Sequence, residues 1–289
     1  YRLERVIKDQ ALDLGQLFSC SEGTLGVVVE IKIRISDIPK STGLAMIQLS
    51  DILDLNVLIE KISILGPSAL ELIDKAVIEL AKPDHPALAE KISSTTKVIL
   101  LVEFDGADDK LIQNRLLKFK RTFKSLNLLN SSIIQASNDD EKRKLWDVRK
   151  KSLPYAAKIR SEDKRPTAFI EDASVDPIKL GSFMNELYKL FRTNGLNAIV
   201  YGHAGDGHVH IRPLLNLKIK KDLDLMQKLA DESFKIIKKF DGCITAEHGD
   251  GLARAPYLKL QYGSEVYELF TEVKRLLDPA GIMNPGKKI

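Results

Sequence analysis

The sequence is short of cysteine, histidine and long apolar runs, and each shortage removes a class of protein. Among 289 residues there are two cysteines, five histidines and one tryptophan. Cys20 and Cys243 stand far apart and in no metal-ligand spacing. That excludes a disulfide framework or thiolate zinc site and reads as the reduced thiols of a cytoplasmic protein. The longest apolar runs, such as VILLV, are far too short to cross a bilayer. The opening YRLERVIKDQ is too charged for a secretory signal peptide. A net charge of +4 is mild, and the one basic run, KFKRTFK (118–124), has a plain explanation. Ile112, Leu116, Phe119, Phe123 and Leu126 recur at helical spacing, so its cations form the wet face of an amphipathic helix. No nucleic-acid binding is expected.

What remains, 44% hydrophobic and 29% charged, is the composition of a soluble globular protein. The length suits one large domain or two modest ones. The first forty residues read as the end of a domain whose body lies upstream. LFSCSEGTLGVVVEIKIRI is a glycine turn followed by a strand, with Val28 and Glu30 to Ile35 switching faces. Strands are expected at LAMIQLS, KVILLVEFDG (97–106), SIIQAS, AFIEDASV, GLNAIVYGH and HVHIRPLL. Helices are expected from Asp51, over PSALELIDKAVIELAK, and over NDDEKRKLWDVRKKS with Asn138 as N-cap. Further helices are expected over DPIKLGSFMNELYKLFRT, from about Lys220 to Phe240, and from about Ser264 to Leu277. The irregular alternation predicts an α+β fold, an antiparallel sheet with helices on one face.

Three of the five histidines lie in GHAGDGHVHI (202–211) and a fourth, His248, in AEHGDGLAR. If Ala204 to Gly207 form a hairpin loop, His203 faces His208 across the ladder and Tyr201 faces His210. Gly205 and Gly207 would supply the positive φ angles the loop needs, and Asp206 tolerates them. His208 and His210 then point the same way, and two or three imidazoles gather as a metal site requires. Glu247 offers a carboxylate to complete the set, with an open position left for substrate or water. On an extended chain Glu247 and His248 would point apart and take different jobs. Glycine–histidine turns also serve as plain loops, and the residues alone leave both readings open.

These runs also carry a resemblance. GHAGDGHVHIRP, AEHGDGLARAPYL and DPAGIMNPGK resemble the C-terminal half of the FAD-linked oxidases of the vanillyl-alcohol-oxidase fold. That family includes D-lactate, glycolate and D-2-hydroxyglutarate dehydrogenases. SEGTLGVVVEIKIRI resembles the segment closing its FAD-binding domain, and PSALELID, LWDVRKKSLP and RPTAFIEDASV resemble its substrate (cap) domain. The resemblance implies a ferredoxin-like cap over residues 41–275, preceded at 1–40 by the last strand of the FAD domain. Residues 276–289 would return to the flavin. It makes His203, His210 and Glu247 the ligands of a divalent metal, zinc or manganese, and His248 the general base. Arg149 of the Trp146-x-x-Arg run would clamp the substrate carboxylate, with a helix-surface ion pair to Asp147 or Glu141 as the bland alternative. Ser21, Glu22, Gly23 and Asn284 would lie at the edges of the FAD site.

The sequence also departs from the pattern. His208 stands where many members carry Asn, and Arg212 where hydroxyglutarate-type enzymes use Asn for the substrate. Leu153 and Ile170 fall about where those enzymes place a threonine and a lysine. Arg212 could therefore hold a substrate carboxylate itself. The expected activity is oxidation of a D-2-hydroxy acid, lactate or glycolate in type, by hydride transfer to FAD. Electrons would pass to an iron–sulfur partner or to a quinone at the inner face of the membrane. The chain would be completed by an FAD-binding domain, upstream or on a separate chain. Two alternatives are a non-catalytic metal-binding or assembly subunit and a metal-dependent hydrolase.

Overall fold

The computed structural model describes residues 1–8, 11–159 and 163–289. By internal contacts these form two compact units, Asp37–Cys243 and a terminal unit made of Tyr1–Ser36 with Ile244–Ile289. Residues 244–275, read from the sequence with the cap, thus group with the two ends of the chain.

The larger unit is an eight-stranded antiparallel sheet with helices. Its elements are β1 (Ser41–Leu49), α1 (Asp54–Ser63), β2 (Ala69–Asp74), α2 (Lys75–Ala81), β3 (Val98–Gly106) and α3 (Asp109–Ser125). After them come β4 (Ser132–Gln135), α4 (Asp139–Lys150), α5 (Ser152–Lys158), β5 (Arg165–Pro166), β6 (Ala173–Ser174) and α6 (Leu180–Thr193). The unit ends with β7 (Ala198–His203), β8 (His208–Leu215) and α7 (Lys220–Lys239). The strand order is β4-β1-β3-β2-β7-β8-β5, with β6 also on β8. The α+β antiparallel class is as expected.

The expected helical layer on one face is present. Gly43 of β1 packs so closely on α3 that a Cβ there would lie 2.4 Å from Ile112 and 2.7 Å from Leu116. Beyond α3, helix α1 contacts α3 and α6, and α6 contacts α7. The structure adds a second layer on the opposite face. There Leu44, Met46, Ile73, Ile99, Leu101, Ile199 and Tyr201 pack on α2, α4 and α5 through Val77, Ile78, Leu145, Val148 and Tyr155. Central strands buried on both sides read as continuous apolar runs, which explains one misreading. PSALELIDKAVIELAK is not a single helix. ALELID is the central strand β2, and the helix begins only after Asp74, whose side chain accepts a hydrogen bond from Val77 N at 3.0 Å. Similarly, AFIEDASV forms only the two-residue β6.

The terminal unit holds α8 (Ser264–Leu277) and short turns of helix at Leu14–Phe18, Gly251–Arg254 and Leu258–Tyr262. Tyr1 packs edge-on against Phe270 at 5.5 Å, and Lys274 donates to the carbonyls of Thr24 at 2.7 Å and Met283 at 2.6 Å. The expected strand at GVVVEIKIRI is absent. Residues 26–35 carry no strand pairing, and Val27, Val29, Ile31, Ile33 and Ile35 are exposed. A strand exists only by pairing, and among the described residues this segment has no ladder partner. No described helix is long and apolar enough to cross a membrane.

Candidate metal and substrate site

The hairpin β7–β8 has the register its sequence implies, with His203 opposite His208 and Tyr201 opposite His210. Its loop differs in one detail. Ala204–Asp206 form a 3-10 turn and only Gly207, at φ +63°, takes the left-handed conformation. Gly205 is not needed for a positive φ. The period-two alternation sends His203, His208 and His210 to the same face. Ring centroids are 4.6 Å apart for His208–His210, 5.3 Å for His203–His208 and 5.9 Å for His203–His210. One ring nitrogen from each lies within 4.8 Å of the other two. Such a set of imidazoles fits a divalent ion of the zinc class.

Buried acids that sequence reasoning missed hold this cluster in place. Glu71, from β2, puts Oε1 2.8 Å from His203 Nδ1 and Oε2 2.7 Å from Arg149 Nε. Asp172 is fully buried at φ +76°, with Oδ1 3.0 Å from His208 Nε2. Its neighbour Glu171 has Oε2 2.5 Å from Arg212 Nη2. All three acids sit inside or beside apolar runs, ALELID and FIEDASV. An acid in such a run is a signal, because a buried carboxylate must find a cation or donors.

Arg149 comes from α4, and its partner is neither Asp147 nor Glu141. Asp147 is 2.7 Å from Lys151 and 3.3 Å from His85, and Glu141 binds the start of its own helix and Lys91. The guanidinium instead points into the sheet, 5.3 Å from the ring centroid of Tyr201. Burial pushes the Tyr201 phenol above its ordinary value, Glu171 adds to this, and Arg212 and Arg149 oppose it. The sheet unit therefore brings together three imidazoles, two arginines and three acids. Of the family-specific positions, Ile170 is buried and Leu153 half-exposed.

Glu247 and His248 belong to the terminal unit. They do not diverge as extended neighbours would. His248 Nε2 lies 3.5 Å from Glu247 Oε1, because residues 246–248 are a run of bends. Gly249, at φ +80°, follows, and its carbonyl accepts from Thr245 Oγ1 at 2.8 Å and from Arg254. The four positions expected at the flavin edge also lie in this unit. Ser21 is buried, Gly23 has φ +71°, and Asn284 Nδ2 donates to the Glu22 carbonyl at 2.5 Å. The Glu22 side chain accepts from Asp250 N at 2.7 Å and Gly251 N at 2.8 Å, and lies 3.1 Å from Lys288 Nζ.

The chain is 28% identical over 294 residues to the glycolate oxidase subunit GlcD of Bacillus subtilis, covering 98% of this chain and 58% of that one. It is 27% identical to a D-2-hydroxyglutarate dehydrogenase of Pseudomonas putida, covering 95% of this chain and 28% of the relative. It is also 27% identical to the mitochondrial D-lactate dehydrogenase [cytochrome] 1 of Saccharomyces cerevisiae, at 95% and 46% coverage. The chain thus spans little more than half, or less, of these curated relatives. Among solved structures, p-cresol methylhydroxylase superposes with a TM-score of 0.60 at 12% identity, covering 86% of this chain and 53% of that one. An alkyldihydroxyacetonephosphate synthase gives 0.59 at 14% identity, covering 95% and 50%. Residues 38–288 match the family of FAD linked oxidases, C-terminal domain, and the chain belongs to that family.

Proposed function

We propose that this chain is the substrate-binding part of a flavin-dependent dehydrogenase that oxidises a D-2-hydroxy acid, lactate or glycolate in type, to the 2-keto acid. The observation that carries the reading is the convergence of His203, His208 and His210 beside Arg149 and Arg212. Each arginine is anchored by an acid, Arg149 through Nε and Arg212 through Nη2. The other N–H groups of each guanidinium fork suit the planar carboxylate of the substrate. His203 and His210, with Glu247 as assigned by the family resemblance, would hold a divalent ion of zinc or manganese type. That ion would supply an electrophile for the hydroxyl and carboxylate oxygens. His248 would take the hydroxyl proton as general base. FAD, held by a domain that this chain partners or continues, would accept the C2 hydrogen as hydride, since no side chain can. Ser21, Glu22, Gly23 and Asn284 would stand near it. Electrons would leave for an iron–sulfur partner or a quinone.

The test uses the full protein with its flavin domain. Anaerobic addition of D-lactate or glycolate is expected to bleach the flavin absorbance, and L-lactate to leave it unchanged. His248→Asn is expected to slow the bleaching about 10²–10⁴-fold with metal and flavin retained. Failure of every short 2-hydroxy acid to reduce the flavin would overturn the reading.

A further inference from the structure

Resting on that reading, we infer that His208, held by Asp172, is itself a metal ligand. The hairpin would then present three imidazoles, selecting a zinc-class ion over manganese or magnesium.

The argument starts from cost. A wholly buried carboxylate at a left-handed φ is expensive, and Asp172 has both features. Its Oδ1 lies 3.0 Å from His208 Nε2, against the imidazole ring. Metal-bound histidines characteristically have such a carboxylate behind them. Glu71 does the same for His203, from the other side of the hairpin, at 2.8 Å. Two of the three imidazoles thus each have a separate buried acid against the ring. A buried His–Asp pair serving only the core would have no need to converge on other imidazoles. His208 does converge, with its ring 4.6 Å from His210 and 5.3 Å from His203. The hairpin fixes this convergence. Gly202 lets the strands approach, since a Cβ there would lie 2.3 Å from the His208 carbonyl oxygen. Imidazole suits zinc, copper and nickel, whereas carboxylates and water suit manganese and magnesium. A third imidazole therefore shifts ion choice as well as affinity.

The experiment titrates metal-free protein with Zn²⁺ and Mn²⁺ against a chromophoric chelator, for wild type, His208→Asn, Asp172→Asn and His203→Ala. Thermal unfolding checks the fold of each. His208→Asn is expected to weaken Zn²⁺ at least about tenfold while changing Mn²⁺ little, and Asp172→Asn to weaken Zn²⁺ about tenfold. Should His208→Asn fail to fold, Cu²⁺-loaded wild type gives the answer, because electron spin-echo modulation counts the coordinated imidazoles and is expected to find three. Two imidazoles there, or unchanged Zn²⁺ affinity in His208→Asn with loss in His203→Ala, overturns the ligand role of His208 and leaves the proposed metal site standing. Wild type that binds no ion overturns both.

Discussion

Glu71 Oε1 lies 2.8 Å from His203 Nδ1, and the other oxygen of the same carboxylate lies 2.7 Å from Arg149 Nε. One central-strand acid thus fixes a candidate metal ligand and a candidate substrate clamp together. Both partners of the Arg149–Glu71 pair are only 12% exposed at the side chain, so solvent does little to replace either one.

Glu71→Gln is therefore expected to act twice. The amide oxygen can serve one donor but not both, which leaves a buried polar group short of its partner at a cost of about 1–3 kcal/mol. Urea unfolding measures that loss. Divalent-ion affinity is expected to fall about tenfold or more, because the histidine loses its orienting acid. Unchanged stability together with unchanged affinity would separate Glu71 from the site.

The two loop glycines give a contrast. Gly207 sits at φ +63°, and a Cβ there would lie 1.9 Å from the Val175 carbonyl oxygen. Gly207→Ala is expected to destabilise the protein by more than about 1–2 kcal/mol, since the clash adds to the left-handed penalty. Gly205 has an ordinary φ, and its nearest neighbour would be Leu70 Cβ at 3.3 Å. Gly205→Ala is expected to unfold within a few degrees of wild type. Equal melting temperatures for the two variants would contradict this account of the turn.

Much of this was legible in the sequence because the patterns there are strong and local. The α3 stripe of Ile112, Leu116, Phe119 and Phe123 is buried as expected, and Asn138 caps α4 with its side chain accepting from Glu141 N at 2.9 Å. The register that places His203 opposite His208 followed from a four-residue loop between alternating strands. What failed depended on partners distant in sequence. ALELID has the same apolar density as a buried helix, and only its place between β3 and β7 makes it a strand. Residues 26–35 alternate like a strand but have no neighbour among the described residues to pair with. An extended chain would turn Glu247 and His248 apart, whereas local bends bring their side chains within 3.5 Å. Glu71, Glu171 and Asp172 went unnoticed because their value comes from histidines and arginines far along the chain.

Asp74 gives a pH prediction. Burial raises its carboxyl to about 6 against the opposing pull of Val77 N, Tyr188 OH and Val200 N, which all donate to it. The folded protein then holds this proton more tightly than the unfolded chain, so the group's contribution to stability falls as pH rises from about 4 to about 6. The difference in unfolding free energy between wild type and Asp74→Asn is expected to shrink across that window, with the Asn variant as the non-titrating reference. A difference that grows with pH would mean that the three donors outweigh burial.

The segment Val27–Ile38 gives a prediction about pairing. Its apolar side chains are exposed, Val29 at 92% and Ile38 at 89%, yet its sequence is that of a strand. Backbone amides of 27–35 in this chain alone are expected to exchange with solvent near intrinsic rates. In protein that includes the flavin domain, the same amides are expected to be protected, as ladder hydrogen bonds require. Fast exchange in both would remove the segment from the flavin domain's sheet.

Glu22 separates a structural role from a cofactor role. Burial alone would raise its carboxyl, but the donors Asp250 N and Gly251 N and the nearby Lys288 ammonium carry it below the ordinary glutamate value. A depressed acid stabilises the fold above its unfolded pKa and loses that contribution as pH falls through the folded value. Both Glu22 oxygens are engaged in holding the start of the Gly251–Arg254 turn. Its side chain therefore acts on the terminal unit, and the backbone carbonyl, bound to Asn284 Nδ2, ties Glu22 to Asn284. Glu22→Gln is expected to lower the melting temperature at pH 7 and to narrow its gap from wild type as pH falls below about 4. Flavin affinity of the full protein is expected to follow stability, with no separate loss. If Glu22→Gln instead melts like wild type at pH 7 while the full protein releases its flavin, the carboxylate serves the cofactor directly and the clip is incidental.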